Sequence, residues 1–157
     1  MLNKNKGFSL IELLIVVAII LIIAAIAIPN LLRSKMAANE ASSVGSLRTL
    51  NTACITYATT YGQYPAALSN LGPGSPATST ASDLIDSVLS SGTKSGYNFA
   101  YKTPGTSGGT AGTTYDITAI PINVGTTGQR AFFTDQSGVI RANTTGASPT
   151  QSDPPLS

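Results

Sequence analysis

A single carboxylate, Glu12, lies near the start of an otherwise apolar stretch that runs from residue 8 to residue 32. Every residue from Leu13 to Ile28 is Leu, Ile, Val or Ala. As a helix, this stretch would be about 37 Å long, enough to cross a hydrocarbon core of about 30 Å. An ionised acid in a membrane costs roughly 2.5–3.5 kcal/mol at mid-bilayer and less near the interface. Glu12 therefore calls for a partner of opposite charge.

The sequence has few of the residue types that catalytic sites use. The chain has no His, which removes Ser/His/Asp and Cys/His mechanisms and most zinc sites. The single cysteine, Cys54, cannot form an internal disulfide, and its place in a helical pattern favours a small buried hydrophobe over a reactive thiol. The sequence therefore predicts no enzymatic activity, no cofactor and no metal site.

The segment Lys6-Gly7-Phe8-Ser9-Leu10-Ile11-Glu12 resembles the class III signal of type IV prepilins and pseudopilins. The resemblance implies that a membrane-embedded aspartyl peptidase cuts between Gly7 and Phe8 on the cytoplasmic side and methylates the new N-terminus of Phe8. The leader, residues 1–7, would then be removed, and the apolar segment would be retained in the mature protein.

Glu12 lies four residues beyond that new amine, at the acidic position of the family. The resemblance implies that its carboxylate pairs with the N-terminal amine of a neighbouring subunit. Opposite charges about 4 Å apart are worth about 4 kcal/mol at an effective dielectric of about 20, which offsets the burial of the acid. The pair would set the register between adjacent subunits.

Two other interpretations of the N-terminus remain. An ordinary secretory signal also places Lys residues before an apolar core, and Ala25-Ile26-Ala27 supplies a small-x-small cleavage site. However, the apolar core here exceeds the usual ~7–15 residues, carries a carboxylate and is followed by more helical pattern. A plain single-pass anchor predicts no particular residue at positions 7, 8 or 12, where Gly, Phe and Glu occur at the spacing of the signal.

The apolar pattern predicts one long helix behind this segment. Residues 8–32 form a transmembrane or filament-core part, and residues 33–61 continue as an amphipathic half with one apolar stripe. The stripe comprises Met36, Ala37, Ala41, Val44, Leu47, Leu50, Cys54, Tyr57 and Tyr61. Pro29 should kink or locally unwind the helix because it lacks a backbone donor, and Gly62 is a natural stop. By resemblance, residues 24–29 are expected to be extended inside a filament.

Residues 62–157 are expected to form a β-rich head that covers the stripe and ends in an irregular tail. A short helix is predicted over residues 83–89, with Ser82 as its cap. Alternating patterns predict strands near residues 97–101, 115–121, 130–134 and 139–141. The sequence thus predicts an α+β fold in which an antiparallel sheet of three or four strands packs on the helix, as in type IV pilins.

The charge of the chain gives no support for nucleic-acid binding. Removal of residues 1–7 takes away Lys4 and Lys6 and leaves seven basic and seven acidic residues, a net charge of zero. The expected partners are the lipid bilayer, the prepilin peptidase and methyltransferase, the pilus assembly machinery of the inner membrane, and other copies of the chain.

The resemblance implies a structural function. The chain is expected to wait in the bacterial inner membrane as a single-pass precursor with a cytoplasmic N-terminus. It is then expected to be polymerised into an extracellular type IV pilus. Two alternatives stay open: a pseudopilin of a type II secretion system, which uses the same N-terminus, and a binding module tethered by the helix.

Overall fold

The structure, a computed structural model, describes residues 7–103 and 112–156. A long helix, α1 (Leu10–Tyr61), is followed by a 3₁₀ helix (Leu68–Leu71) and a short helix, α2 (Ser87–Ser90). Five strands follow in chain order: β1 (Thr93–Lys94), β2 (Tyr97–Lys102), β3 (Asp116–Pro121), β4 (Ala131–Asp135) and β5 (Arg141–Asn143). The predicted α+β class is confirmed.

The chain divides into two compact units, with the boundary between Lys35 and Met36. The described part of the first unit is almost entirely the apolar half of α1. Residues 24–29 are helical and Pro29 lies inside the helix. The extended conformation expected for these residues inside a filament, and a kink at Pro29, stay predictions.

In the second unit, the middle of α1 supplies one wall of the hydrophobic core. Leu47, Leu50 and Cys54 are completely buried, and Val44 and Tyr57 nearly so. The predicted stripe is too long at its N-terminal end, because Ala37 and Ala41 are exposed and Met36 is only half-buried. Polar residues of the same part of the helix are buried instead; these are Glu40, Ser43 and Ser46. The helix ends as predicted at Gly62, whose φ is +77°.

The sheet is an antiparallel meander in the order β1-β2-β3-β4-β5. Its register aligns Phe99 with Ala119, Ala119 with Phe132, and Phe132 with Ala142. Because opposed residues share a face, these four side chains line one side of the sheet, where they join the core with the buried residues of α1.

Two parts of the head differ from the sequence-based expectation. The helix predicted at residues 83–89 begins at Ser87, because Asp83 has a φ of +55° and the N–H groups of Asp83 and Leu84 donate to carbonyls near the 3₁₀ helix. The cap is Asp86, whose Oδ1 accepts the N–H of Leu89 at 2.7 Å, and not Ser82. The two-residue strand β1 also makes the sheet five-stranded, where three or four strands were predicted.

Candidate processing and assembly site

Gly7 has no structural reason to be glycine among the described residues. A Cβ built at Gly7 meets nothing within 4 Å, and its φ lies outside the left-handed region. Gly128 is the opposite case, since a Cβ there would lie 2.7 Å from Cζ of Tyr97. Because the fold does not require glycine at position 7, the need for glycine can come from another molecule that binds this segment.

Phe8 and the helix behind it present an unbroken apolar surface. The side chain of Phe8 is 78% exposed, and large apolar side chains remain exposed along the helix as far as Leu32. The most apolar window of α1 has a mean hydropathy of 3.3 and none of it is buried in the chain. By length and composition this segment can cross a membrane, and an apolar surface of this extent needs a cover of lipid or protein.

Glu12 lies in the first turn of α1, where its carboxylate accepts a backbone hydrogen bond at the N-terminal end of the helix. Its Oε2 accepts the backbone N–H of Ser9 at 2.9 Å, the reciprocal half of a capping box that spans Ser9 to Glu12. The ion pairs within the described ranges are Lys94–Asp86 and Arg130–Glu40, so Glu12 meets no cation there. The carboxylate is thus held at the helix start by one hydrogen bond and keeps further acceptor sites free.

Gly7, Phe8 and Glu12 are therefore brought to one end of one helix. Gly7 and Phe8 precede the first helical residue, and Glu12 follows two residues after it. Gly7 and Phe8 are exposed and lie outside the helix, which leaves the bond between them accessible. A carboxylate one turn away lies near the place where a new amine would arise. The cleavage, the methylation and the pairing with a neighbouring amine stay predictions.

A second glutamate, Glu40, joins α1 to the sheet and was not singled out from the sequence. Its Oε1 accepts the backbone N–H groups of Gln129 and Arg130 at 2.9 and 3.0 Å, and its Oε2 accepts Nε of Arg130 at 2.8 Å. Glu40 is only 8% exposed. One sequence signal could have identified it: Glu40 is the only acidic residue between positions 13 and 82 and lies at helical spacing from Val44.

These contacts decide the protonation of Glu40. Burial disfavours its charge, but the two backbone N–H donors and the Arg130 guanidinium outweigh that effect, so the pKa of the Glu40 carboxyl is lowered from its usual value near 4.5. Glu40 therefore serves as an anion that binds the loop before β4 to the helix.

A buried side chain, Asn51, makes a second polar contact between α1 and the sheet, deeper in the core. Nδ2 of Asn51 donates to Oγ1 of Thr134 at 2.9 Å, and the hydroxyl of Tyr115 donates to Oδ1 of Asn51 at 3.1 Å. Burial raises the pKa of the Tyr115 hydroxyl well above its usual value, so the tyrosine remains a neutral donor. Glu40 and Asn51 together fix the register of the sheet on the helix.

Parts of the chain also match known proteins. Residues 2–28 match the family described as the prokaryotic N-terminal methylation motif. The type IV major pilin protein PilA of Myxococcus xanthus is 50% identical over 50 residues, 32% of this chain and 23% of that protein. The type IV wide pilus major component PilA4 of Thermus thermophilus is 59% identical over 39 residues, 25% of this chain and 30% of that protein. The matched segment thus spans less than a third of either relative. The chain thus carries the N-terminal methylation motif, is similar over part of its length to subunits of type IV pili, and has a type IV pilin-like α+β fold.

Proposed function

We propose that this chain is a structural subunit of a type IV pilus. The precursor spans the inner membrane once, with its N-terminus in the cytoplasm, through residues 8–32. A prepilin peptidase cuts between Gly7 and Phe8 and methylates Phe8. The assembly machinery of the inner membrane then adds the mature subunit to a helical filament, in which residues 62–157 form the outer surface.

The observation that carries this proposal is the position of Gly7, Phe8 and Glu12 at the start of a helix whose apolar surface nothing in the described chain covers. In the mature protein the amine of Phe8 would lie one helical turn from Glu12, and the carboxylate has free acceptor sites for a second amine. Inside a bundle of apolar helices, the carboxylate of one copy and the amine of the next would neutralise each other. The pair would thereby set the axial register of the subunits.

In this proposal, Pro29 weakens the helix so that residues 24–29 can extend during assembly. A proline leaves the carbonyl four residues before it without a helical donor, so the helix is weakest around residues 24–29. Extension of these residues would lengthen the subunit during assembly while residues 36–61 stay fixed to the sheet.

A function as a pseudopilin of a type II secretion system uses the same N-terminal chemistry. Both named relatives are components of pili, which favours the pilus. The length of the assembled fibres separates the two functions, because a pilus extends beyond the cell surface.

The test determines the N-terminal residue and the filament yield of four variants, two at glycines and two at Glu12, in cells that carry the assembly machinery. Gly7→Val should block cleavage because a branched side chain crowds the scissile bond, while the fold is unchanged. Gly45→Val is the matched control, since a Cβ at Gly45 also meets nothing within 4 Å, and this variant should be cleaved normally. A shortened chain that starts at Phe8 in Gly7→Val would contradict the assignment.

Glu12→Ala, and more strongly Glu12→Lys, should accumulate in the membrane and yield few surface filaments. Sheared cell surfaces are inspected by electron microscopy, and the fibre protein is identified by its N-terminal residue. Normal numbers of fibres in both variants would refute the role of Glu12. Wild-type fibres whose protein begins elsewhere than at Phe8 would refute the processing step.

A further inference from the structure

Three grooves on the surface of the sheet-bearing unit meet at one side chain, the exposed Arg48 of α1. The largest has a volume of about 360 Å³. It is lined by Arg48, Thr49, Thr52, Ala53, Thr56 and Leu84. A second of about 350 Å³ includes Glu40, Val44 and Arg130, and a third includes Ile140 and Leu156. Arg48 thus stands at the centre of an uncovered surface of mixed apolar and polar character.

The face of α1 beside Arg48 carries threonine hydroxyls, but these do not depend on water for their hydrogen bonds. The hydroxyls of Thr49, Thr52 and Thr56 donate to the carbonyls of Gly45, Arg48 and Thr52 in their own helix, at 2.9–3.1 Å. A hydroxyl that already has its hydrogen bond loses little when water is removed. The face can therefore be buried against another protein surface at low desolvation cost.

Arg48 has no counter-ion among the residues that the structure describes. Its guanidinium makes no ion pair with any carboxylate in residues 7–103 and 112–156, although Glu40 lies two turns away on the same helix, where Arg130 occupies it. An arginine that lines a groove and remains unpaired offers planar donors to a carboxylate from outside.

One acid of the same unit fits this need. Asp83 is exposed, and within the described ranges its carboxylate accepts no hydrogen bond and joins no ion pair. Its backbone is fixed, because the N–H groups of Asp83 and Leu84 donate to the carbonyls of Gly72 and Leu71 at 2.8 and 3.0 Å. The other acids of the unit are each half-buried or buried, or paired with a cation.

We propose that the groove at Arg48 receives the Asp83 turn of a second copy of this chain. Each copy would present Arg48 to one neighbour and Asp83 to another. With two different neighbours the contact is heterologous, and contacts of this kind propagate into filaments. The threonine face and Leu84 would be covered around this ion pair. The inference rests on the proposed pilus function and assigns one contact between its subunits.

A charge swap tests the pair in the full chain, expressed with its assembly machinery. Arg48→Glu and Asp83→Arg should each lower the yield of surface fibres by about tenfold or more, because each places like charges opposite one another. The double variant restores an ion pair of reversed sense and should return the yield to within about twofold of wild type. Lys102→Gln changes the net charge in the same direction as Arg48→Glu at an exposed residue outside the grooves, without adding a carboxylate, and should keep the wild-type yield.

The outcomes separate this inference from the proposed function. If wild-type cells make no fibres of this chain, the pilus function fails. If wild-type fibres form and both single variants match them, the contact at Arg48 is refuted. Loss of fibres in the single and double variants alike would show that Arg48 binds a partner other than Asp83, which also refutes the proposal. A lowered urea midpoint of purified Arg48→Glu would show that Arg48 acts within its own chain, with the same consequence.

Discussion

Replacement of Glu40 by Ala should destabilise the sheet-bearing unit more than the loss of a surface ion pair would. The change leaves the N–H groups of Gln129 and Arg130, both partly buried, without an acceptor, and each such group costs about 1 kcal/mol or more. The lost bond to the half-exposed Arg130 guanidinium adds about 1 kcal/mol. We expect a total loss of about 3 kcal/mol, a large share of the ~5–15 kcal/mol typical of a domain.

Two milder variants separate the backbone contacts from the charge. Glu40→Gln keeps an amide oxygen that can accept both N–H groups and should cost only about 1 kcal/mol. Arg130→Met keeps its own backbone N–H and should cost about 1 kcal/mol, from the ion pair and the contact of the guanidinium with the ring of Phe132.

The assay is urea unfolding of the full chain in detergent micelles. The near-ultraviolet circular dichroism of the tyrosines reports the head, because Tyr57, Tyr97 and Tyr115 are buried there and the chain has no Trp. Amide hydrogen exchange locates the change. Equal losses in Glu40→Ala and Arg130→Met, with protection at residues 129 and 130 unchanged, would refute the role assigned to the two backbone donors.

The pH dependence of stability follows from the same contacts. Because the pKa of Glu40 is lowered in the folded chain, its stabilising effect is present above its unfolded value near 4.5 and is lost as the pH falls through the folded pKa. Wild type should lose stability on acidification below about pH 4.5, and Glu40→Gln should lose less over that range. Parallel curves for the two proteins would contradict this assignment.

Three further outcomes are expected. Asp116→Asn should raise the stability by about 0.5 kcal/mol at pH 7, because Asp116 lies opposite Asp135 and its pKa is raised by burial and by that charge; the gain should vanish as the pH falls and Asp116 is protonated. Cys54 should react with a maleimide only after unfolding in urea, because burial raises the pKa of its thiol to about 12, and labelling of the native protein would contradict this. Gly128→Ala should lower the urea midpoint, since its Cβ would overlap the ring of Tyr97, and an unchanged midpoint would show that the ring moves aside at no cost.

The sequence predicts the parts of the fold that local periodicity determines. The alternation of Tyr97, Phe99 and Tyr101 identifies β2, and the helix stop at Gly62 follows from the conformation that glycine favours. Burial of Cys54 follows from its helical spacing to Leu50 and Tyr57. In each case the signal lies within a few residues, where the chain itself sets which side chains share a face.

The missed features depend on residues distant in sequence. Glu40 is bound by Gln129 and Arg130, about ninety positions later, so its helical spacing to Val44 could mark its face of the helix but not the donors that keep it ionised. The late start of α2 has a similar cause, because Asp83 and Leu84 donate to the 3₁₀ helix before any helical turn can form. The strand β1 is too short for a period of two to be visible.

The two glutamates of α1 differ in how far the chain itself satisfies each carboxylate. Both carboxylate oxygens of Glu40 accept hydrogen bonds from donors of its own chain, so removal of Glu40 should lower the stability of the fold. Glu12 receives one local N–H and, among the described residues, meets no cation, although it opens an apolar segment where an unpaired acid is costly. A carboxylate that its own chain uses for one hydrogen bond only, at a place where an unpaired acid is costly, is compatible with the proposed pairing with the amine of a neighbouring subunit. Removal of Glu12 should therefore leave the urea midpoint of the head unchanged while fibres are lost.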